Sequence, residues 1–186
     1  MKLRAEPYTL ELRHDIKASE KELRHNLNLD WCDGLLFNVT AIENIPLVEY
    51  DVILWNEKEK MILFIEYKDS LKAYKNLKEH ETNKKKDYAL NISREFGFLK
   101  YDFIVVVKGL EDGIDKLKGK AMVIALAELN DYLLKSDSFE STFVEFDYVN
   151  KLLGKYERLE NPVEISREIV LKELKILRDK IEQVNK

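Results

Sequence analysis

The first part of the chain carries apolar residues at helical spacing. Within residues 8–28, which contain no glycine or proline, four apolar residues lie four or seven positions apart: Leu12, Ile16, Leu23 and Leu27. This spacing predicts an amphipathic first helix over residues 8–28. Glu20 lies four residues after Ile16 and three before Leu23, so helical geometry places its carboxylate on the apolar stripe. An acidic residue on a buried stripe calls for a functional explanation.

Three segments rich in β-branched, aromatic and other apolar residues follow, over residues 35–40, 47–55 and 61–68. The polar residues 56–60 join the second segment to the third, and a connection of this length suits a hairpin. Both of these segments contain continuous apolar runs, which are typical of strands that are buried on both faces. We therefore predict a three-stranded meander inside the core.

The next segments alternate between helical and extended patterns. Residues 70–96 are rich in Lys, Leu, Glu and Ala and predict a helix, either continuous or broken near residues 80–83. Residues 101–108 and 121–125 predict two strands, and residues 126–135 predict a helix after them. The resulting order is α, β, β, β, α, β, β, α, which predicts an α/β domain over residues 1–136 with a mixed central sheet flanked by helices.

The end of the chain, residues 137–186, predicts a helical extension. Its last helix is expected to begin near Pro162 and carries an apolar seam with spacings of four, three, four and three: Val170, Leu174, Leu177, Ile181 and Val184. Such a seam packs either on its own domain or on a second copy of the chain. The first arrangement is favoured because the repeat is shorter than three to four heptads, and a homodimer stays open as the alternative.

Composition narrows the range of functions. The chain has 186 residues, 45% hydrophobic and 35% charged, with a formal net charge of −4 that argues against a general nucleic-acid coat. Its apolar runs are far shorter than the roughly 18 residues of a membrane span, so we expect an intracellular, cytoplasmic protein with no membrane partner. The single cysteine, Cys32, excludes an internal disulfide or a thiolate metal cluster. Glycine-rich phosphate-binding motifs are absent, so no nucleotide cofactor is expected.

The most informative residues are charged groups inside the predicted hairpin. Asp51 and Glu66 lie fifteen positions apart on neighbouring strands, and Lys68 shares a face with Glu66 because side chains alternate along a strand. Two adjacent carboxylates in an apolar setting repel each other unless a divalent cation neutralises them. We therefore predict a Mg²⁺ site, with Mn²⁺ as a substitute, and a Lys68 that orients or deprotonates a water or stabilises developing negative charge. The alternative is a surface ion pair, which strands apolar on both faces disfavour.

At these residues the chain resembles the PD-(D/E)XK nuclease superfamily. Its signature is an acidic residue on one strand and Glu-x-Lys on the next, here Asp51 and Glu66-Tyr67-Lys68. The resemblance covers residues 8–108 and implies a restriction-endonuclease-like α-β-β-β-α-β core and metal-dependent hydrolysis of DNA. It also implies that Asp51, Glu66 and Lys68 are catalytic, and that Asp51, Glu66 and the backbone carbonyl of Tyr67 bind the metal. The chain departs from the pattern at Glu49-Tyr50-Asp51, where a proline often precedes the aspartate, and in its C-terminal helices.

Two further acidic residues are candidates for the site. Nucleases similar to archaeal Holliday-junction resolvases add a glutamate on the first helix, and Glu20-Lys21-Glu22-Leu23 is similar to that context. This implies that Glu20 is an additional metal ligand and that branched or junction DNA is a candidate substrate. Glu49 either adds a second acidic group to the site or is solvated, and the sequence leaves both readings open.

A basic segment follows the acidic hairpin. Residues 68–86 contain seven lysines and three acidic residues, whereas residues 43–66 carry a net charge of −4. This polarity predicts DNA contacts by six lysines: Lys72, Lys75, Lys78, Lys84, Lys85 and Lys86. Tyr74 and Tyr88 either stack on bases or pack on the sheet. The competing function is a catalytically inactive nucleic-acid-binding or protein-interaction module on the same fold.

Overall fold

The computed structural model describes residues 2–12, 18–110, 114, 116–135 and 138–142. Four α-helices occur among these residues: Ala18–Asn26 (α1), Leu71–Asn76 (α2), Glu79–Glu95 (α3) and Leu129–Leu134 (α4). The strands are Lys2–Ala5 (β1), Tyr8–Leu12 (β2), Gly34–Ile42 (β3), Pro46–Asn56 (β4), Met61–Lys68 (β5), Lys100–Val107 (β6), Leu117–Lys118 (β7), Ala121–Ala125 (β8) and Glu140–Ser141 (β9). Short 3₁₀ turns occupy Leu29–Trp31 and Leu126–Glu128.

These strands form one mixed sheet in the order β1-β2-β3-β4-β5-β6-β8-β7, with β9 paired beside β6. The successive pairs from β1 to β5 are antiparallel, whereas β5 pairs with β6, and β6 with β8, in parallel. The parallel pair β5 and β6 requires a crossover, which α2 and α3 supply. The predicted α/β class and the predicted meander of β3, β4 and β5 are both confirmed.

The sheet is covered by apolar side chains on both faces. On the face that carries α3, Phe64 and Phe103 pack with Ile92 in one buried cluster. On the opposite face, Leu23 of α1 and Leu129 of α4 belong to a second buried cluster. Seven of the eight residues of β5 are buried, as its continuous apolar sequence predicted.

The prediction of a helix over residues 8–28 is wrong at its start. Tyr8–Leu12 is strand β2, which pairs with β3 through Leu10 opposite Ala41, and α1 begins only at Ala18. Strand β3 presents unpaired backbone groups on the side away from β4, and β2 satisfies them. Leu23 is buried as the stripe predicted, whereas Ile16 lies outside the described residues.

The predicted helix over residues 70–96 consists of two helices. Ser70 caps α2 by accepting a hydrogen bond from the Ala73 backbone amide, and the buried Leu77 separates α2 from α3. The break therefore comes before the predicted position at residues 80–83. Strands β1, β7 and β9 were not predicted, and β7 and β9 have only two residues each, too few for a periodic pattern.

The C-terminal part of the chain is outside this description. The chain divides into two units, Met1–Phe143 and Val144–Lys186, and the predicted helices and seam of the second unit lie outside the described residues. Strand β9 follows the predicted domain boundary at residue 136 and still pairs with β6. In the part of the chain that the structure describes, no helix is both long and apolar enough to cross a membrane.

Candidate functional site

Strands β4 and β5 separate at the point where the acidic residues lie. Val52 opposite Ile65 is the last pair of the β4–β5 ladder, and beyond it the Tyr67 backbone amide donates a hydrogen bond to Asp51 Oδ2 at 2.7 Å. A carboxylate thus takes the place that a backbone carbonyl of β4 would hold in a regular ladder. This hydrogen bond holds the Asp51 side chain beside the end of β5.

An irregularity in the next ladder accompanies this separation. Phe37 pairs with Val52 and Val39 with Tyr50, but the register between β3 and β4 does not include the intervening Asn38 and Asp51 as partners of each other. Asn38 has a φ of 51°, in the left-handed region. Val52 packs on the face of α1, whereas Tyr50 packs on the face of α3, although regular alternation would put them on one face. Irregularities of this kind redirect side chains next to functional sites.

Glu66 lies at the centre of the site and is 5% exposed. Lys68 Nζ donates to Glu66 Oε1 at 2.6 Å, which brings together the two side chains that the alternation of β5 predicted on one face. Lys85 of α3 donates to the other carboxylate oxygen, Oε2. Both oxygens of Glu66 are therefore ion-paired with lysines from different elements.

The two carboxylates have opposite pKa shifts. Burial, followed by the negative charge of Glu66, raises the pKa of Asp51 to about 6, although the Tyr67 amide and the two lysines oppose the shift. Burial also acts to raise the pKa of Glu66, but the charges of Lys85 and Lys68 outweigh it and the pKa is lowered. Burial acts to lower the pKa of Lys68, but the charge and hydrogen bond of Glu66, together with the charges of Asp51 and Glu81, outweigh it and the pKa is raised. The site thus contains an anionic Glu66, a cationic Lys68 and an Asp51 whose charge is costly.

The donor chemistry of these residues fits a hard divalent cation. Asp51 and Glu66 supply carboxylate oxygens, and a cation would relieve the repulsion that raises the pKa of Asp51. Among the described residues, no group of three or more His, Cys, Asp or Glu side chains lies close enough to hold a metal. The backbone of Glu20 is part of α1, but its side chain lies outside the description, so Glu20 and the Tyr67 carbonyl stay predicted ligands.

Helix α1 reaches the end of β5 through Glu22, a residue that sequence reasoning missed. Glu22 accepts a hydrogen bond from the Tyr67 hydroxyl at 3.3 Å and pairs with Lys108 Nζ at 2.8 Å. Partial burial and the charge of Glu22 raise the pKa of Tyr67 to about 12. Glu22 lies two residues after Glu20 in the segment Glu20-Lys21-Glu22-Leu23. Its nearness to Glu20 was the one feature of the sequence that could have pointed to a role in the site.

The predicted DNA-binding lysines do not all lie at the surface. Four of them are exposed: Lys72, Lys75, Lys78 and Lys84. Lys86 is buried, where its Nζ donates to Glu140 Oε1 at 2.7 Å and lies 3.4 Å from Asp102 Oδ1. The assignment of Lys86 to a DNA-binding surface is therefore corrected, because its ammonium is inside the protein. Lys85 belongs to the carboxylate site instead.

The aromatic residues of this region favour packing. Tyr74 of α2 is buried in the cluster on the α3 face, and Tyr88 is partly buried against the same cluster. Lys84 Nζ lies 5.9 Å from the centroid of the Tyr88 ring. The packing interpretation thus accounts for both tyrosines.

A cleft of about 500 Å³ opens beside Glu66 and Lys68, between β4 and the helices α2 and α3. Its wall includes the apolar Leu47 and Leu77 and the charged Lys84 and Lys85. The exposed Glu49 also lines the cleft, and its role as an additional acidic group of the site stays a prediction. Volumes of this size suit ligand-binding pockets.

Neither a scan against protein-family models nor a search of curated proteins finds a match to this chain. Evidence on function therefore comes from the site itself, which brings together two carboxylates and two lysines: Asp51, Glu66, Lys68 and Lys85.

Proposed function

We propose that this protein is a Mg²⁺-dependent nuclease that hydrolyses phosphodiester bonds of DNA on a restriction-endonuclease-like fold. The observation that carries the proposal is the placement of Asp51, Glu66 and Lys68 together where β4 and β5 separate. The element order α1, β3, β4, β5, α2, α3 and β6 is in keeping with such a core. Branched or junction DNA is the substrate class that the run Glu20-Lys21-Glu22-Leu23 favours.

In this proposal Asp51 and Glu66 hold the cation, with Glu20 and the Tyr67 carbonyl as further ligands. When bound, Mg²⁺, or Mn²⁺ in its place, would lower the pKa of a water molecule and offset phosphate charge. The Tyr67 amide holds the Asp51 carboxylate in a fixed orientation. Lys68 is protonated at neutral pH, so its role is to stabilise the negative charge that develops on the phosphate oxygens rather than to accept a proton.

The exposed lysines of α2 and α3 supply the contacts to the DNA backbone. Lys72 and Lys75 lie on α2, Lys78 directly precedes α3, and Lys84 lies on α3 and lines the cleft. Lysines at such positions neutralise phosphates without reading the base sequence. They would hold a strand beside the carboxylates.

The test is cleavage of labelled duplex, single-stranded, flap and four-way-junction DNAs in Mg²⁺, Mn²⁺ or chelator. Asp51→Ala and Glu66→Ala should each lower the cleavage rate by about 100-fold or more, and Lys68→Ala should lower the rate more than the affinity for metal. Glu59→Ala, in the exposed turn between β4 and β5, is the matched control and should cleave as the wild type does. Circular dichroism of each variant checks folding. Wild-type cleavage by all three site variants would refute the assignment.

One observation favours the competing proposal of an inactive binding module. Both oxygens of Glu66 are occupied by ammonium groups, and an internal ion-pair set of this kind needs no metal. Such a module would bind DNA equally well in chelator and in Mg²⁺ and would cut none of the substrates. The same panel of DNAs therefore separates the two proposals.

A further inference from the structure

The two carboxylates and the two ammonium groups at the centre of the site balance each other in charge without a metal. Asp51 and Glu66 contribute two carboxylates, and Lys68 and Lys85 contribute two ammonium groups that contact Glu66. A divalent cation added to this set would bring a net positive charge next to two partly buried ammonium groups, which is unfavourable. Binding of a cation is therefore easier if one lysine moves away from Glu66.

The two lysines differ in their freedom to move. Lys68 is two residues from Glu66 on the same strand, so its ammonium stays near that carboxylate. Lys85 comes from α3, and its side chain is 18% exposed and lines the cleft. A rotation of the Lys85 side chain would thus move its charge from Glu66 into the cleft.

The backbone at Lys85 is held in place by a neighbour of the site. The hydroxyl of Tyr50 donates a hydrogen bond to the Lys85 carbonyl at 2.7 Å, and Tyr50 is 1% exposed. The Tyr50 ring packs against Phe64 with 4.7 Å between ring centroids. Because Tyr50 directly precedes Asp51, the same segment of β4 positions both the carboxylate and the helix that carries Lys85.

We propose that Lys85 is an internal counter-ion that occupies Glu66 in place of the divalent cation, and that a cation binds only when the Lys85 ammonium is displaced into the cleft. This inference rests on the proposed function, since it concerns the same metal site. It assigns Lys85 a regulatory role that Lys84 does not share. Affinity for metal in the absence of DNA is then limited by the ion pair between Lys85 and Glu66.

The first test is a calorimetric titration of the full chain with Mn²⁺ in the absence of DNA. Lys85→Met should bind Mn²⁺ about tenfold more tightly than the wild type, because no ammonium has to be displaced from Glu66. Lys85→Arg keeps the positive charge and should stay close to the wild type. Lys84→Met removes the same charge from the neighbouring cleft position, where no contact with Glu66 exists, and should change the affinity far less.

The second test follows the lysine ammonium groups of the wild-type protein by NMR, so it does not depend on the folding of a variant. Without metal, Lys68 and Lys85 should both give ammonium signals that exchange slowly with water, because each is ion-paired and partly buried. Titration with Mg²⁺ should remove the Lys85 signal and keep that of Lys68. Retention of both signals at saturating Mg²⁺ would overturn the inference.

The outcomes separate this inference from the proposed function. Equal or weaker Mn²⁺ binding by Lys85→Met, or equal gains in Lys84→Met and Lys85→Met, would overturn the counter-ion role while leaving a metal site that Asp51→Ala abolishes. Absence of Mn²⁺ binding in both the wild type and Lys85→Met would overturn the counter-ion role and the metal-dependent nuclease together. Circular dichroism establishes that each variant is folded before its titration is interpreted.

Discussion

Asp51 and Glu66 are neighbours with opposite electrostatic environments. Two ammonium groups contact Glu66 and lower its pKa despite its burial. Asp51 accepts only one described hydrogen bond, from the Tyr67 amide, and its pKa is raised to about 6. Ionisation therefore destabilises the folded protein at Asp51 and not at Glu66. Functional sites commonly retain such costs because the charge is needed for binding or chemistry.

This cost predicts the effect of Asp51→Asn on stability. The folded protein holds the Asp51 proton more tightly than the unfolded chain does, so the stability that Asp51 contributes is present below about pH 3.8 and is lost as the pH rises through about 6. Asparagine is neutral and can still accept the Tyr67 hydrogen bond. In chelator at pH 8, Asp51→Asn should raise the free energy of unfolding by on the order of 2 kcal/mol.

Urea denaturation at several pH values measures this effect. The difference between Asp51→Asn and the wild type should shrink as the pH falls toward 4, because the wild-type carboxyl becomes protonated. A variant that is less stable than the wild type at pH 8, or a difference independent of pH, would contradict this account.

At the scale of elements, α2 and α3 divide their lysines between the surface and the interior. Lys75 and Lys78 are exposed where α2 ends and α3 begins, whereas Lys85 and Lys86 point toward carboxylates of the sheet region. Each helical residue is rotated by about 100° from the one before it, so consecutive lysines face different surroundings. A run of lysines in sequence is therefore not a continuous basic surface.

The exposed lysines predict a salt dependence. In DNA-binding measurements in chelator, the double variant Lys75→Gln/Lys78→Gln should reduce the slope of log K against log salt concentration by about two, since each lost phosphate contact removes about 0.9. Lys58→Gln/Lys135→Gln removes the same charge from exposed positions outside α2 and α3 and is the matched control. Equal changes of slope in both double variants would place the DNA elsewhere.

At the scale of the whole molecule, the sheet separates two apolar clusters that have different roles. The cluster on the α3 face includes Tyr50 and Phe64 and directly supports the helix that carries Lys85. The cluster on the opposite face includes Leu23 and fixes α1, which carries Glu20 and Glu22. The positions of the helices on the two faces, and hence the residues that approach the end of β5, depend on both clusters.

The second cluster predicts a loss of stability in Leu23→Ala. Leu23 is fully buried, so its truncation leaves a cavity and should lower the free energy of unfolding by about 3 kcal/mol. Ile45→Ala is the matched control, because Ile45 is 67% exposed, and its effect should stay within about 0.5 kcal/mol. Thermal unfolding of both variants measures the difference. Equal melting temperatures would show that α1 does not pack against the sheet through Leu23.

Much of the fold and part of the site followed from local patterns. The apolar runs of β4 and β5 predicted strands buried on both faces, because such runs can be satisfied only inside a covered sheet. The alternation of side chains along β5 placed Glu66 and Lys68 on one face. The predicted hairpin then placed Asp51 on the strand next to the one that carries Glu66. These inferences needed no knowledge of distant contacts, since each depends on the geometry of a single strand or of one short turn.

Other features depended on contacts between segments far apart in the chain. Residues 8–12 were predicted as helix because Leu12 begins the helical stripe, although Tyr8, Leu10 and Leu12 alternate as in a strand. Pairing with β3 makes this segment β2. The three consecutive residues Lys84, Lys85 and Lys86 are indistinguishable in sequence, but only Lys85 meets Glu66. Their separate roles are set by the angle at which α3 packs on the sheet. The sequence by itself thus determined the strands and the charged hairpin, whereas only the tertiary structure decided which helical side chains complete the site, because helix orientation is a property of packing and not of local spacing.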